Sequence, residues 1–144
     1  MRFYFVLSGA DSRTCCYAFA FMKAWVTHLD HLQIAAPAGC EHAAREFYGT
    51  LLGMPEIEKP EALRARGGCW FQCGSLQLHI GVEQVFGPAR KAHPAFAVND
   101  LDGLRKALVA HGVRITEDDS IPGVRRFFSE DPWGNRLEFV ETHA

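Results

Sequence analysis

The chain carries one structural plan twice. From Gly53 to His79 and from Gly112 to Glu138 the separation is the same, 26 positions. Upstream the correspondence holds within a few residues: His31 lies 48 positions before His79, and His93 lies 45 before Glu138. Each half reads as a strand, a helix and further strands, a unit that leaves one sheet face uncovered. Two such units must therefore join before either is stable. At equivalent places the two halves each present a metal-capable side chain.

The segment LDHLQIA (29–35) alternates, with His31 and Gln33 on one face and Leu32 and Ile34 on the other, as a half-buried strand requires. Residues 41–52 place Ala44, Tyr48, Leu51 and Leu52 at helical spacing, and Gly53 stands where a left-handed C-terminal cap belongs. A loop over 55–61 precedes an antiparallel pair, 68–73 and 75–82, turned around Cys73-Gly74-Ser75. In the second half, 93–98 reads as a strand with His93, Ala95 and Ala97 on one face. Asn99 or Asp100 caps a helix carrying Leu101, Leu104, Leu108 and His111, which ends at Gly112. A short strand over 113–116 follows, then 124–130 pairs with 135–141 across Asp131-Pro132-Trp133-Gly134. The expected fold class is α+β: two βαβββ modules, residues 29–83 and 91–141 of a domain spanning 26–144, forming a curved mixed sheet around a cavity.

Composition excludes several roles. With 144 residues and 48% hydrophobic content the chain can bury a real core, while a net charge of -2 gives no field to steer nucleic acid or an anionic membrane. A small molecule is the expected partner. Five cysteines, odd in number and without zinc-finger spacing, point to a reducing compartment, and the cytoplasm is the expected location. Cys69 and Cys73 are expected as buried thiols. Residues 1–25 lie outside the repeat: Phe3 to Leu7 and Ala18-Phe19-Ala20 resemble parts of a signal peptide, but Asp11 and Arg13 interrupt the apolar run. They form either an added arm or an upstream extension of a chain that starts at Met22.

The chemistry sits in His31, His79, His93 and Glu138. Imidazole and carboxylate suit Zn²⁺, Fe²⁺, Mn²⁺, Ni²⁺ and Co²⁺ alike, so the set implies a divalent metal without naming it. Gln33 points where His31 points. Arg136 shares the face of Glu138 by alternation and the hairpin brings Arg126 alongside; the two either offer an anionic substrate a partner or stand as exposed rim arginines, the more common outcome. Phe128 is a cavity wall or a core residue. Trp70, Phe71 and Trp133 are expected in core or turn packing, and His28, His42, His111 and His143 at the surface.

These residues resemble the vicinal oxygen chelate superfamily, which includes glyoxalase I, bleomycin-resistance proteins, fosfomycin-resistance transferases, methylmalonyl-CoA epimerase and extradiol dioxygenases. The similarity covers 29–141, and DPWGNRLEFVE (131–141) is its most specific stretch. It implies metal ligands from the first and last strands of each module, here His31, His79, His93 and Glu138. It further implies a homodimer; in an exchanged arrangement of that dimer each site takes His31 and His79 from one chain and His93 and Glu138 from the other, and in an unexchanged one all four come from the same chain. The subclass turns on His79. As a fourth ligand it fits a glyoxalase-like lyase or isomerase; as an acid/base beside a His31, His93 and Glu138 triad it fits a dioxygenase. Ring-cleaving members carry Tyr where this chain has Phe128. The reading of another class is a bleomycin-resistance-like protein that sequesters a ligand without catalysis.

Overall fold

The computed structural model describes residues 24–142. The first strand, β1 (His31–Ala36), leads into α1 (Glu41–Ala44), which continues as a π-helical segment, Arg45–Leu51. Next come β2 (Glu56–Ile57), α2 (Glu61–Arg64), β3 (Cys69–Cys73) and β4 (Leu76–Val82). The second module runs β5 (Ala95–Val98), α3 (Leu101–Ala110), β6 (Thr116–Glu117), β7 (Arg126–Glu130) and β8 (Arg136–Glu141). The duplication is evident in topology: the sheets order as β1-β4-β3-β2 and β5-β8-β7-β6. In each, the first strand of the module runs parallel to its last, pairing Gln33 with His79 and Ala95 with Glu138. Both modules thus have the βαβββ plan, with a short α2 added in the first.

Alternation decides what each sheet face carries. One face of each sheet enters a common core that includes Tyr48, Phe71, Ile80, Leu108, Phe127 and Phe139, and burial of each such side chain stabilises by about 1.5–3 kcal/mol. The opposite faces carry the candidate ligands. Gly53 and Gly112 end their helices at φ +70° and +73°, the left-handed region expected of a C-terminal cap. Asp100 is the N-terminal cap of α3, accepting from the Gly103 amide at 2.8 Å.

The turn motif proves to be a clasp between modules. Asp131, buried, accepts from the Tyr48 hydroxyl (3.0 Å), the Asn135 side-chain amide (2.7 Å) and the backbone amides of Trp133 (2.9 Å) and Asn135 (2.8 Å). Asn135 in turn donates to the Ala35 carbonyl at 2.9 Å and accepts from the Ala89 amide at 2.9 Å. Burial, followed by the Asp131 charge, pushes the Tyr48 phenol well above its ordinary value, so it remains a donor. The residues of 131–135 therefore tie β8 to β1 and to the helix of module one.

Several boundaries differ from expectation. The fifth strand begins at Ala95, not His93, because Pro94 brings no N–H to the ladder; the Pro94 carbonyl still accepts from Glu138 at 3.0 Å. The 55–61 loop holds β2, whose Ile57 pairs with Trp70. The helix over 41–52 winds as α only through Ala44, then the Leu52 amide reaches back five residues to Phe47 (2.9 Å), and the wider winding turns the consecutive Phe47 and Tyr48 both inward. The short strand placed at 113–116 is instead Thr116–Glu117, because Val113 and Ile115 pack against the core. The expected extension, residues 1–25, lies outside the described residues except for Ala24 and Trp25. Among the described residues no helix is long and apolar enough to cross a membrane.

Candidate metal centre

Module one presents a stack of rings. His79 on β4 lies 3.8 Å from Trp70 on β3, centroid to centroid and nearly parallel at 4°, while its other face meets His31 on β1 at 4.4 Å and 19°. The register causes this: Trp70 pairs directly with His79, and His79 with Gln33. Trp70 is thus not core packing as expected; alternation sends its neighbours Cys69 and Phe71 to the core and Trp70 to the ligand face. The His31 Nδ1 bonds Asp30 at 2.8 Å, which leaves its Nε2 free to ligate. The His79 Nε2 meets Gln77 Oε1 at 3.0 Å. Burial, then the neighbouring His31, lower the His79 pKa, so the ring is neutral at physiological pH, the form that ligates metal or accepts a proton.

Module two presents a charged network instead. The His93 Nδ1 donates to the Lys91 carbonyl at 2.7 Å, since a carbonyl only accepts, and this turns Nε2 toward Glu138 Oε2 at 2.9 Å. A proton must sit between those two atoms, or a cation in its place. The other carboxylate oxygen of Glu138 accepts from Arg126 at 2.8 Å. Burial opposes the Glu138 charge, but hydrogen bonds from His93 and Arg126 outweigh it and leave the pKa lowered. Arg126 also donates to Asp118 (2.9 Å) and Ser120 (3.1 Å). Asp118, held by Ser120 and then Arg126, is lowered to about 2.

The donor set fits a borderline divalent cation: His31, His79 and His93 each have one ring nitrogen on an oxygen, of Asp30, Gln77 and Lys91, and Arg126 holds one oxygen of Glu138 while the other faces His93, where a cation in place of the shared proton meets both. The structure brings His31 to His79 and His93 to Glu138, but it does not bring the pairs together. Among the described residues no three His, Cys, Asp or Glu side chains gather where they would hold a metal ion.

The candidate substrate residues divide. Gln33 is exposed beside His31 and lies under Gly81. Phe128 is buried on the ligand face, edge-on to His93 at 5.4 Å, with Arg136 stacked over its ring at 3.8 Å and Arg126 at 5.3 Å. Arg126 spends its donors on Glu138, Asp118 and Ser120, whereas Arg136 has no carboxylate partner among the described residues. Sequence reasoning missed Asp30, Gln77 and Asp118, whose roles depend on side-chain direction, and Lys91, which acts through its backbone carbonyl. Only Trp70 left a signal, its alternation with Phe71. Cys69 is buried with its pKa raised to about 11, chiefly by desolvation, as suits a packing thiol.

Comparison with known proteins follows the same lines. Residues 28–139 match the profile of the Glyoxalase/Bleomycin resistance protein/Dioxygenase superfamily. A crystal structure from Bacillus anthracis, described only as a glyoxalase family protein, is 51% identical; the match covers 85% of this chain and 100% of that one at a TM-score of 0.81. Lactoylglutathione lyase from Agrobacterium tumefaciens shares the fold at 18% identity, covering 82% and 96% of the two chains, TM-score 0.65. So does a point mutant of the genomically encoded fosfomycin resistance protein FosX from Listeria monocytogenes, complexed with Mn(II) and 1S,2S-dihydroxypropylphosphonic acid, at 17% identity, 82% and 94% coverage and TM-score 0.69. No curated protein matches the sequence.

Proposed function

Because this chain belongs to the Glyoxalase/Bleomycin resistance protein/Dioxygenase superfamily, we propose that it is a metal-dependent enzyme of lyase or isomerase type acting on a small substrate with two adjacent oxygens. The observation that carries the reading is the pair of half-sites at equivalent register, His31 with His79 and His93 with Glu138, each on the sheet face turned away from the core. A second copy of the chain completes the centre: β1 and β5 have no strand partner on their outer edges among the described residues, and Ala95, Ala97, Leu29 and Val85 are exposed nearby or between the modules. The symmetric dimer then holds two sites, each built from module one of one chain and module two of the other.

A divalent cation held there supplies Lewis acidity toward the two substrate oxygens. The residues do the rest. Asp30 and the Lys91 carbonyl fix the His31 and His93 rings, and Arg126 holds one oxygen of Glu138 so that the other faces His93. His79 serves as fourth ligand, its ring plane set between Trp70 and His31. Phe128 has no hydroxyl to donate, which favours this reading over ring cleavage.

The test is metal analysis of protein purified without added metal, with parallel assays of methylglyoxal-glutathione hemithioacetal turnover and of O₂ uptake with catechols. Bound transition metal with hemithioacetal turnover, lost on chelation, is the expected result. O₂ uptake would replace the lyase by a dioxygenase. Metal-free protein that binds aromatic ligands equally well without all four side chains would make it a sequestering protein.

A further inference from the structure

We propose that the cavity between Arg90, Arg114 and Arg136 is an oxyanion subsite, which takes the phosphate, phosphonate or carboxylate group of the substrate. It has a volume of about 200 Å³ and lies on the ligand face of the second sheet, with Phe128 and Thr116 in its wall. Three guanidinium groups meet one carboxylate there, since only Glu130 lines it with negative charge. That carboxylate is committed to Arg90 at 3.0 Å. Arg114 and Arg136 have no acidic partner among the described residues, in contrast to the paired Arg45, Arg105, Arg125 and Arg126. The Arg136 Nε is buried without any hydrogen-bond partner, as is the Arg126 Nε, but Arg136 alone of the two also has no acidic partner for the rest of its fork among the described residues. Leaving the Arg136 Nε so costs free energy unless a ligand accepts from it.

Two contacts hold the cavity in shape. Phe128 supports the Arg136 guanidinium face-on at 3.8 Å, which leaves the in-plane N–H donors of the fork directed away from the ring. The Ser129 hydroxyl donates to the Arg114 carbonyl at 2.9 Å and pins the backbone from which Arg114 extends. Phe128 also meets His93 edge-on at 5.4 Å, so this cavity and the His93 and Glu138 half-site share Phe128 as a wall. The proposed function is the premise only for what the rest of that substrate does; the anion subsite stands without the metal.

Chelator-treated protein titrated with inorganic phosphate and, separately, acetate reads the subsite by calorimetry. At least one anion is expected to bind. Arg114→Gln, at an exposed position that will not disturb folding, and Arg136→Gln should each weaken it about tenfold to a hundredfold, the worth of a charged hydrogen bond. Arg125→Gln, whose partners Asp102 and Glu141 lie elsewhere, should leave the affinity unchanged. Tighter phosphate binding assigns a tetrahedral head group, tighter acetate a carboxylate. If neither anion binds, or if both arginine variants bind as the wild type does, the subsite does not exist. Metal content of the same preparations before chelation is scored separately, so loss of the metal reading with retained anion binding leaves the subsite intact.

Discussion

The two modules share topology and register yet put different chemistry at equivalent places. On the ligand face of module one the stacking and hydrogen-bond partners of His79 are rings and an amide: Trp70, His31 and Gln77. On that of module two the hydrogen-bond partners of Glu138 are charged or ionisable: His93 and Arg126, with Asp118 behind. The neutral half places nitrogen lone pairs by stacking, and the ionic half places an oxygen by charged hydrogen bonds. Duplication thus fixed where the groups stand, and divergence of the surrounding strands fixed what holds them.

The clasp gives the largest expected effect, because the comparison presumes two modules held as one body. Asp131→Ala strands the Tyr48 hydroxyl and the Asn135 amides together and should cost roughly 3–5 kcal/mol, read as a shifted denaturant midpoint. A loss within a few tenths of a kcal/mol would mean that the modules are held by apolar packing alone.

In the neutral half, His79→Gln should strip metal as well as activity if His79 is a ligand, and His79→Glu should restore both. Retained metal with turnover down roughly 10²-fold to 10⁴-fold would instead assign an acid/base role. In the ionic half, Arg126→Gln frees one oxygen of Glu138 and should weaken metal binding about 10-fold to 100-fold, as loss of an orienting partner does. An unchanged affinity would remove Arg126 from the account. The smallest effect belongs to the stack: Trp70→Leu should cost about 1 kcal/mol in metal affinity through a less ordered His79 ring, with stability nearly unchanged. A stability loss with metal affinity intact would return Trp70 to a packing role.

The fold is legible in the sequence because strand alternation and helical spacing are local, and because two copies of one pattern check each other. Alternation alone places His31, Gln33 and Glu138 on their faces. It cannot place His93, since Pro94 ends the ladder and the ring reaches its position through the Lys91 carbonyl. Trp70 escapes the sequence reading because aromatic residues in strands are more often buried, although its pairing with His79 puts it on the ligand face. Asp118 and the cavity around Arg114 arise from loops folding back on β7, which no period in the sequence records. The family motif at 131–135 is legible as a turn, but its hold on Tyr48 and Ala35 spans 83 and 100 positions.

In the proposed dimer one centre takes its neutral half from one chain and its ionic half from another. Mixing tests it directly. His79→Ala and Glu138→Ala each disable every site of their own homodimer, but a mixed dimer pairs the intact module one of one variant with the intact module two of the other. Co-refolding equal amounts should therefore recover about a quarter of the wild-type metal content and activity, because half of the dimers are mixed and each has one whole site. No recovery above the separate variants, in mixed dimers shown to form, would contradict the shared centre.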